Sequence, residues 1–123
     1  MNEEFFARYF AALDGEHPLS AMQMVDEDAE FAILWAAAEE RRCDQFLGGR
    51  AELTRFTEAG DTTGWGHHIL ASTRIGEIAL ALGETRTDEG EFIGTFVTAA
   101  KLDAEGKMVR YLVGRSPAIR FSD

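Results

Sequence analysis

The stretch Glu91–Pro117, EFIGTFVTAAKLDAEGKMVRYLVGRSP, decides the fold. Two runs rich in Phe, Ile, Val, Thr, Leu and Tyr flank Asp103-Ala104-Glu105-Gly106-Lys107. A polar turn with a glycine, set between β-branched and aromatic runs, is the pattern of a β-hairpin. A long hairpin has two usable faces, so one can line a cavity while the other packs against a second subunit. In its second arm Tyr111, Val113 and Arg115 share one side, and Arg110, Leu112 and Gly114 the other. If the first set points inward, Arg115 near the mouth meets a carboxylate or phenolate; the alternative is a surface ion pair.

Working back from the hairpin, everything after Gly64 reads as β: a strand over Trp65–Ile75, a turn at Gly76-Glu77, a strand over Ile78–Thr85, and a turn at Thr87–Gly90. The N-terminal half differs. Phe5, Phe6, Tyr9, Phe10 and Leu13 fall on one face of a helix over Glu3–Asp14, ended by Gly15. A shorter helix is expected over Pro18–Val25, with proline at a first-turn position. Ala29–Trp35 alternates as a strand with Phe31, Ile33 and Trp35 on one side. Residues 36–44 read either as a helical turn or as a loop over a pocket mouth. Gln45–Leu47 reads as a short strand, and Arg50–Ala59 as a helix closed by Gly60. This order predicts an α+β fold: a cone made of a strongly curved antiparallel sheet, with three helices from the N-terminal half enclosing a pocket.

The 123 residues suggest a single domain, 1–123, able to bury roughly 65 to 70% of its unfolded surface without a metal or disulfide staple. A net charge of -10, with no basic cluster longer than Arg41-Arg42, argues against nucleic acid as a partner. Cys43 is the single cysteine, which rules out an intrachain disulfide. With no signal-peptide pattern and no long apolar run, the expectation is a cytoplasmic protein that does not enter a membrane.

Several segments together resemble the nuclear transport factor 2-like superfamily, and within it the SnoaL-like branch with its ketosteroid isomerase and scytalone dehydratase relatives. They are ARYFAALDG on the first helix, DEDAEF before the first strand, LGGRAELTRF opening the third helix, GHHIL, and LDAEGKMVRYLVGR. The resemblance covers nearly the whole chain. It implies a cone-shaped α+β barrel with an apolar pocket, and a homodimer through the outer sheet face. It also implies a small hydrophobic ligand, handled without a cofactor by a lyase, isomerase or cyclase, or else a non-catalytic dimerisation or ligand-sensing module of the same fold.

Carried over residue by residue, the resemblance puts Tyr9 where ketosteroid isomerases place an oxyanion donor. Ile33 falls where they place the general base, and Thr98 where they place a protonated aspartate. An alkyl group cannot abstract a proton, so the resemblance argues against ordinary steroid isomerisation. Arg74 has no aspartate two residues away, as the epoxide hydrolase branch requires. His68 resembles the inward histidine of the dehydratases, which makes His68 and Tyr9 the candidate catalytic residues. Phe31, Ile33, Trp35, Thr98, Tyr111 and Arg115 are the expected pocket lining.

Plainer readings stand beside these. His67 and His68 are adjacent on a strand, so only one faces the pocket and the two cannot share a metal; no metal site is expected. Tyr9 is either a donor at the closed end of the cavity or a core aromatic. Gly48-Gly49-Arg50 is a tight turn rather than an anion site, Glu84 and Arg86 form a solvated pair, and Cys43 lacks a nearby histidine to make it a nucleophile.

Overall fold

In the computed structural model, which describes residues 4–37, 42–59 and 64–123, α1 spans Phe5–Leu13. Its Phe5, Phe6, Tyr9 and Phe10 are all buried, so one broad aromatic face drives the helix onto the sheet. The segment Pro18–Met24 follows as a 3-10 helix, with proline at its start. Strands β1 (Val25–Ala37) and β2 (Arg42–Gly49) form a hairpin, and α2 spans Arg50–Ala59. The remaining chain is the meander β3 (Trp65–Ile75), β4 (Ile78–Thr87), β5 (Phe92–Leu102) and β6 (Met108–Ser116).

The sheet order is β2-β1-β6-β5-β4-β3. The expected antiparallel sheet is corrected at one interior seam, where β1 runs parallel to β6, Phe31 beside Tyr111 and Ile33 beside Val113. Side-chain alternation reports which face a residue takes and says nothing of the direction of its partner strand. Residues 36, 37 and 42–44 lie in strands rather than in a helical turn or loop, while 38–41 and the stop expected at Gly60 lie outside the described residues. β2 and β3 are the two ends of the sheet order, so the cone is curled and not closed.

Four register shifts, at Val25/Glu30, Ile69/Ala71, Thr85/Arg86 and Lys101/Leu102, supply the bending. The shift in β3 also changes which side chains face the core. Before it, Trp65, His67 and Ile69 alternate on the inner face, and His67 and Ile69 lie opposite the buried Thr85 and Gly83; after it, Ser72 is the residue opposite the buried Ala81.

The β5–β6 hairpin closes on Gly106, whose φ of 82° suits glycine. Asp103 organises that turn, its Oδ1 accepting from the backbone N–H of Glu105 and of Lys107 at 2.9 Å each. The core between sheet and helices contains Phe6, Tyr9, Phe10, Phe31, Ile33, Leu53, Phe96, Tyr111 and Val113. Gly83 lies beneath Phe96, and a Cβ there would come within 2.4 Å of the Phe96 ring and 2.5 Å of the His68 carbonyl oxygen.

Candidate functional site

Helices on the concave side of the curled sheet leave a cavity of about 250 Å³. Tyr9, Phe10 and Leu13 of α1 and Leu53, Phe56 and Thr57 of α2 form its helical walls, with Pro18 between them. The sheet contributes Ile33 from β1, Trp65 and His67 from β3, Phe96 from β5, and Tyr111, Val113 and Arg115 from β6. Most of this surface is aliphatic or aromatic, with a few polar groups set into it, the composition usual for small-molecule sites.

The inward histidine is His67. His68 is exposed on the opposite face, which corrects the choice of His68 as the pocket residue. Asp14, just past the end of α1, fixes His67 twice: its Oδ2 accepts the His67 backbone N–H at 2.8 Å and its Oδ1 lies 2.8 Å from the ring Nδ1. Gly66 lets the carboxylate approach, since a Cβ there would lie 3.3 Å from Asp14 Oδ2. A carboxylate only accepts, so Nδ1 carries the hydrogen and Nε2 is left as the acceptor of the neutral ring. The imidazole stacks on Phe10 at 4.3 Å and 11°, with Phe96 edge-on at 5.5 Å and Trp65 at 5.2 Å. Four neighbours thus hold one orientation of this ring, the arrangement a proton-transfer group needs.

Tyr9 and Tyr111 meet edge to face, 5.5 Å between ring centres. Burial first, and then the neighbouring Tyr111, push the Tyr9 hydroxyl well above the ordinary phenol range. Burial raises Tyr111 as well, although a hydrogen bond with Thr98 and the charge of Arg115 pull the other way. Both hydroxyls therefore stay protonated at neutral pH and act as donors. Arg115 Nη2 donates to Thr85 Oγ1 at 3.2 Å, and its guanidinium carbon sits 5.7 Å from the centre of the Trp65 ring. Burial lowers its pKa to about 10, against the opposing effect of Tyr111, so it keeps its charge near pH 7.

Of the residues singled out from the sequence, Tyr9, Ile33, Tyr111 and Arg115 come together around the cavity. Thr98 is buried alongside, its Oγ1 donating to the Leu112 carbonyl at 3.1 Å, and it reaches Tyr111 rather than the cavity. Phe31 is core, 6% exposed, and is not part of the cavity wall. The backbone of Trp35 pairs with Arg115; its expected place in the lining falls outside the described side chains. Asp14 and Trp65 were missed, and of the two adjacent histidines His68 was preferred where the cavity holds His67. Asp14 and His67 are 53 residues apart in the chain, and no local spacing signals such a pair.

Two plainer expectations are refined. Gly49 N–H donates to Glu52 Oε1 at 2.9 Å, so the turn before α2 carries an acid from its own helix. Glu84 is paired with Arg86, yet it is fully buried rather than solvated: Ser122 Oγ contacts its two carboxylate oxygens at 2.9 and 2.8 Å. Nearby, Thr95 Oγ1 donates to the Ile119 carbonyl at 2.6 Å. The terminal segment thus lies across the outer face of β4 and β5. Among the described residues no group of three or more His, Cys, Asp or Glu could hold a metal, and no helix is long and apolar enough to cross a membrane.

No protein-family model matches the chain, and no curated protein matches it either. Solved structures do. A candidate isomerase of the SnoaL-like family from Agrobacterium tumefaciens superposes with a TM-score of 0.72 at 13% identity, over 91% of this chain and 94% of that one. A candidate polyketide cyclase from Sinorhizobium meliloti gives 0.62 at 17% identity, over 89% and 92%. A protein with a ketosteroid isomerase-like fold from Catenulispora acidiphila, solved with trimethylamine, gives 0.64 at 13% identity, over 92% and 85%. The chain has the fold these proteins share, that of the SnoaL-like and nuclear transport factor 2-like proteins.

Proposed function

We propose that this chain binds a small, flat, largely hydrophobic molecule in the cavity and moves a proton on it without a cofactor, as a lyase, isomerase or cyclase does. The single observation that carries this reading is the Asp14–His67 pair set into an otherwise apolar wall. His67 Nε2 takes a proton from an activated C–H or O–H of the ligand and the electron pair moves onto a carbonyl oxygen. The hydroxyl of Tyr9 donates to that oxygen as its charge develops. The imidazolium, stabilised by Asp14, then returns the proton to a second position, which completes an isomerisation, or to a leaving hydroxyl, which completes a dehydration. The fold neighbours support a small-molecule role in general terms, one of them having been solved with trimethylamine.

A binding or sensing module without turnover is the second reading. It is favoured by Ile33, whose alkyl side chain lines the cavity where a second acid or base would be useful. To separate the two, a panel of phenols, cyclic enones and terpenoid alcohols is screened by thermal shift, since a ligand bound only by the folded state raises Tm with its concentration. Turnover of any binder is then followed with wild type and His67→Asn. The catalytic reading expects a kcat loss of roughly 10²- to 10⁴-fold with KM little changed. Binding without turnover anywhere in the panel selects the sensing module instead.

We also propose a homodimer through the outer sheet face. Leu47, Ala32, Leu112, Ala99 and Leu80 fall in register across β2, β1, β6, β5 and β4, and Leu47, Leu112 and Val97 are 59%, 51% and 56% exposed. A patch of this kind is covered in most soluble proteins. Light scattering at micromolar concentration is expected to give twice the chain mass, and Val97→Asp about half of that. A monomeric wild type rejects the dimer.

A further inference from the structure

We infer that in the homodimer the segment 117–123 of each copy seats Ile119 and Phe121 in a hollow on the outer sheet face of the other copy. The inference rests on the dimer proposed above and names the parts that meet in it. The segment leaves β6 after Ser116 and crosses the outer face strand by strand. Over β5 its Ile119 carbonyl accepts from Thr95 Oγ1 at 2.6 Å, and over β4 Ser122 Oγ reaches both carboxylate oxygens of Glu84. Thr95 and Glu84 are paired across β5 and β4, so the segment is a ridge laid along one row of the sheet. With Ser122 turned down to Glu84, Phe121 beside it is left 62% exposed, and Ile119 is 60% exposed. Two large apolar side chains thus stand in water on a segment whose course is already fixed.

The hollow lies at the other end of the same face. Lys101 is six residues along β5 from Thr95, about 20 Å of extended chain. Around it Glu30, Ala32, Arg110, Leu112 and Ala99 border about 480 Å³ of open space. Its floor is low because Ala32 and Ala99 stand on either side of Leu112 in one row. Its charges are already matched, Arg110 Nη1 lying 3.1 Å from Glu30 Oε1 and Lys101 Nζ 3.8 Å from Glu77 Oε2. A hollow floored with alanine and rimmed by balanced ion pairs takes an apolar side chain, since a further charge buried there would have no partner.

A ridge at one end of a face and a hollow at the other are the two halves of a self-complementary surface. A two-fold axis in the interface, running across the strands between them, turns the face end for end and sets each ridge over the other copy's hollow. That rotation keeps β5 over β5, so Ile119 and Phe121 meet the end of β5 that carries Ala99 and Lys101. Val97 and Leu112 lie between ridge and hollow, 56% and 51% exposed, and close against their counterparts. The area is sufficient: six strands at ~4.8 Å spacing and about eight residues of strand give on the order of 700 Å² per copy, near the ~800 Å² of a standard interface. A foreign partner would have to supply both relief features in the right order, whereas a second copy has them by symmetry.

The test measures the dimer Kd of the full chain by sedimentation equilibrium and then traps the arrangement with disulfides. Phe121→Ala is expected to raise Kd roughly tenfold or more, as loss of a seated aromatic anchor does, and Ala99→Arg, which fills the hollow, to do the same. The two substitutions sit on different elements, so one still reports if the other variant does not fold. In a Cys43→Ser background, Phe121→Cys chains mixed with Ala99→Cys chains should give a covalent dimer on oxidation, and Phe121→Cys chains alone should not. Bridging of Phe121→Cys chains to one another overturns the end-for-end arrangement, because it sets ridge against ridge. An unchanged Kd in either folded variant overturns the seating of the segment while leaving the dimer intact. A monomeric wild type overturns the dimer itself.

Discussion

The two faces of the sheet are both apolar, and they are built from different side chains. The inner face carries Ile33, Phe96, Tyr111 and Val113 under the aromatic stripe of α1, all of them less than a tenth exposed. The outer face carries Leu47, Val97 and Leu112, each more than half exposed, beside a carboxylate with no exposure at all. Large rings packed at fixed angles define a cavity of one shape. Medium-sized aliphatics on a twisted surface define a patch that another surface can cover. Burial alone therefore does not locate the site. The proposed site lies on the inner face because polar groups are fixed within it, and the outer face is sealed where Glu84 lies because the segment carrying Ser122 covers that spot.

The largest break in this comparison comes from Phe6, which is 1% exposed and packs against Phe5, Tyr9, Phe10 and Tyr111. Phe6→Ala is expected to cost about 3–5 kcal/mol in urea unfolding, because these rings cannot collapse into the space it leaves. A loss below about 1 kcal/mol would mean that the aromatic stripe is not the core. Next is Gly83→Ala, which sets a methyl group against the Phe96 ring and the His68 carbonyl and is expected to cost about 1–3 kcal/mol. Since Phe96 also packs edge-on to His67, this variant should weaken ligand binding as well as stability.

Much of this was legible from the chain and some of it was not, for separable reasons. The aromatic face of α1, the bounds of α2 and the grouping of Tyr111, Val113 and Arg115 on one side of β6 follow from local periodicity; that this side is the one lining the cavity does not. Which histidine faces inward was not legible, because adjacent strand residues look alike until a distant partner such as Asp14 is known. The direction of the β1–β6 seam was hidden for the same reason, being a pairing between opposite ends of the chain. Glu84 and Arg86 showed their charge pairing in sequence, but the cover over them comes from Ser122, 38 residues away.

That cover gives the smallest effect. Burial alone would raise the Glu84 carboxyl, but hydrogen bonds from Ser122 and Arg86, with the charges of Arg86 and Arg120, outweigh it and hold the group below its ordinary value of 4.5. A carboxyl depressed in the folded state adds stability above pH 4.5 and loses that contribution as the pH falls through the folded value. Ser122→Ala removes one of the groups that depress it. The variant is expected to be about 1.5 kcal/mol less stable at pH 7, the lower end for a hydrogen bond to a charged group because Ser122 is itself only half-buried. As the pH falls from 4.5 through the lower folded value the gap should narrow, since Glu84 then takes up its proton and the charge that Ser122 stabilises is lost. Urea unfolding of wild type and variant at pH 7 and pH 3 measures it, and a gap that stays the same at both would show that Ser122 holds the segment by packing rather than through the carboxylate.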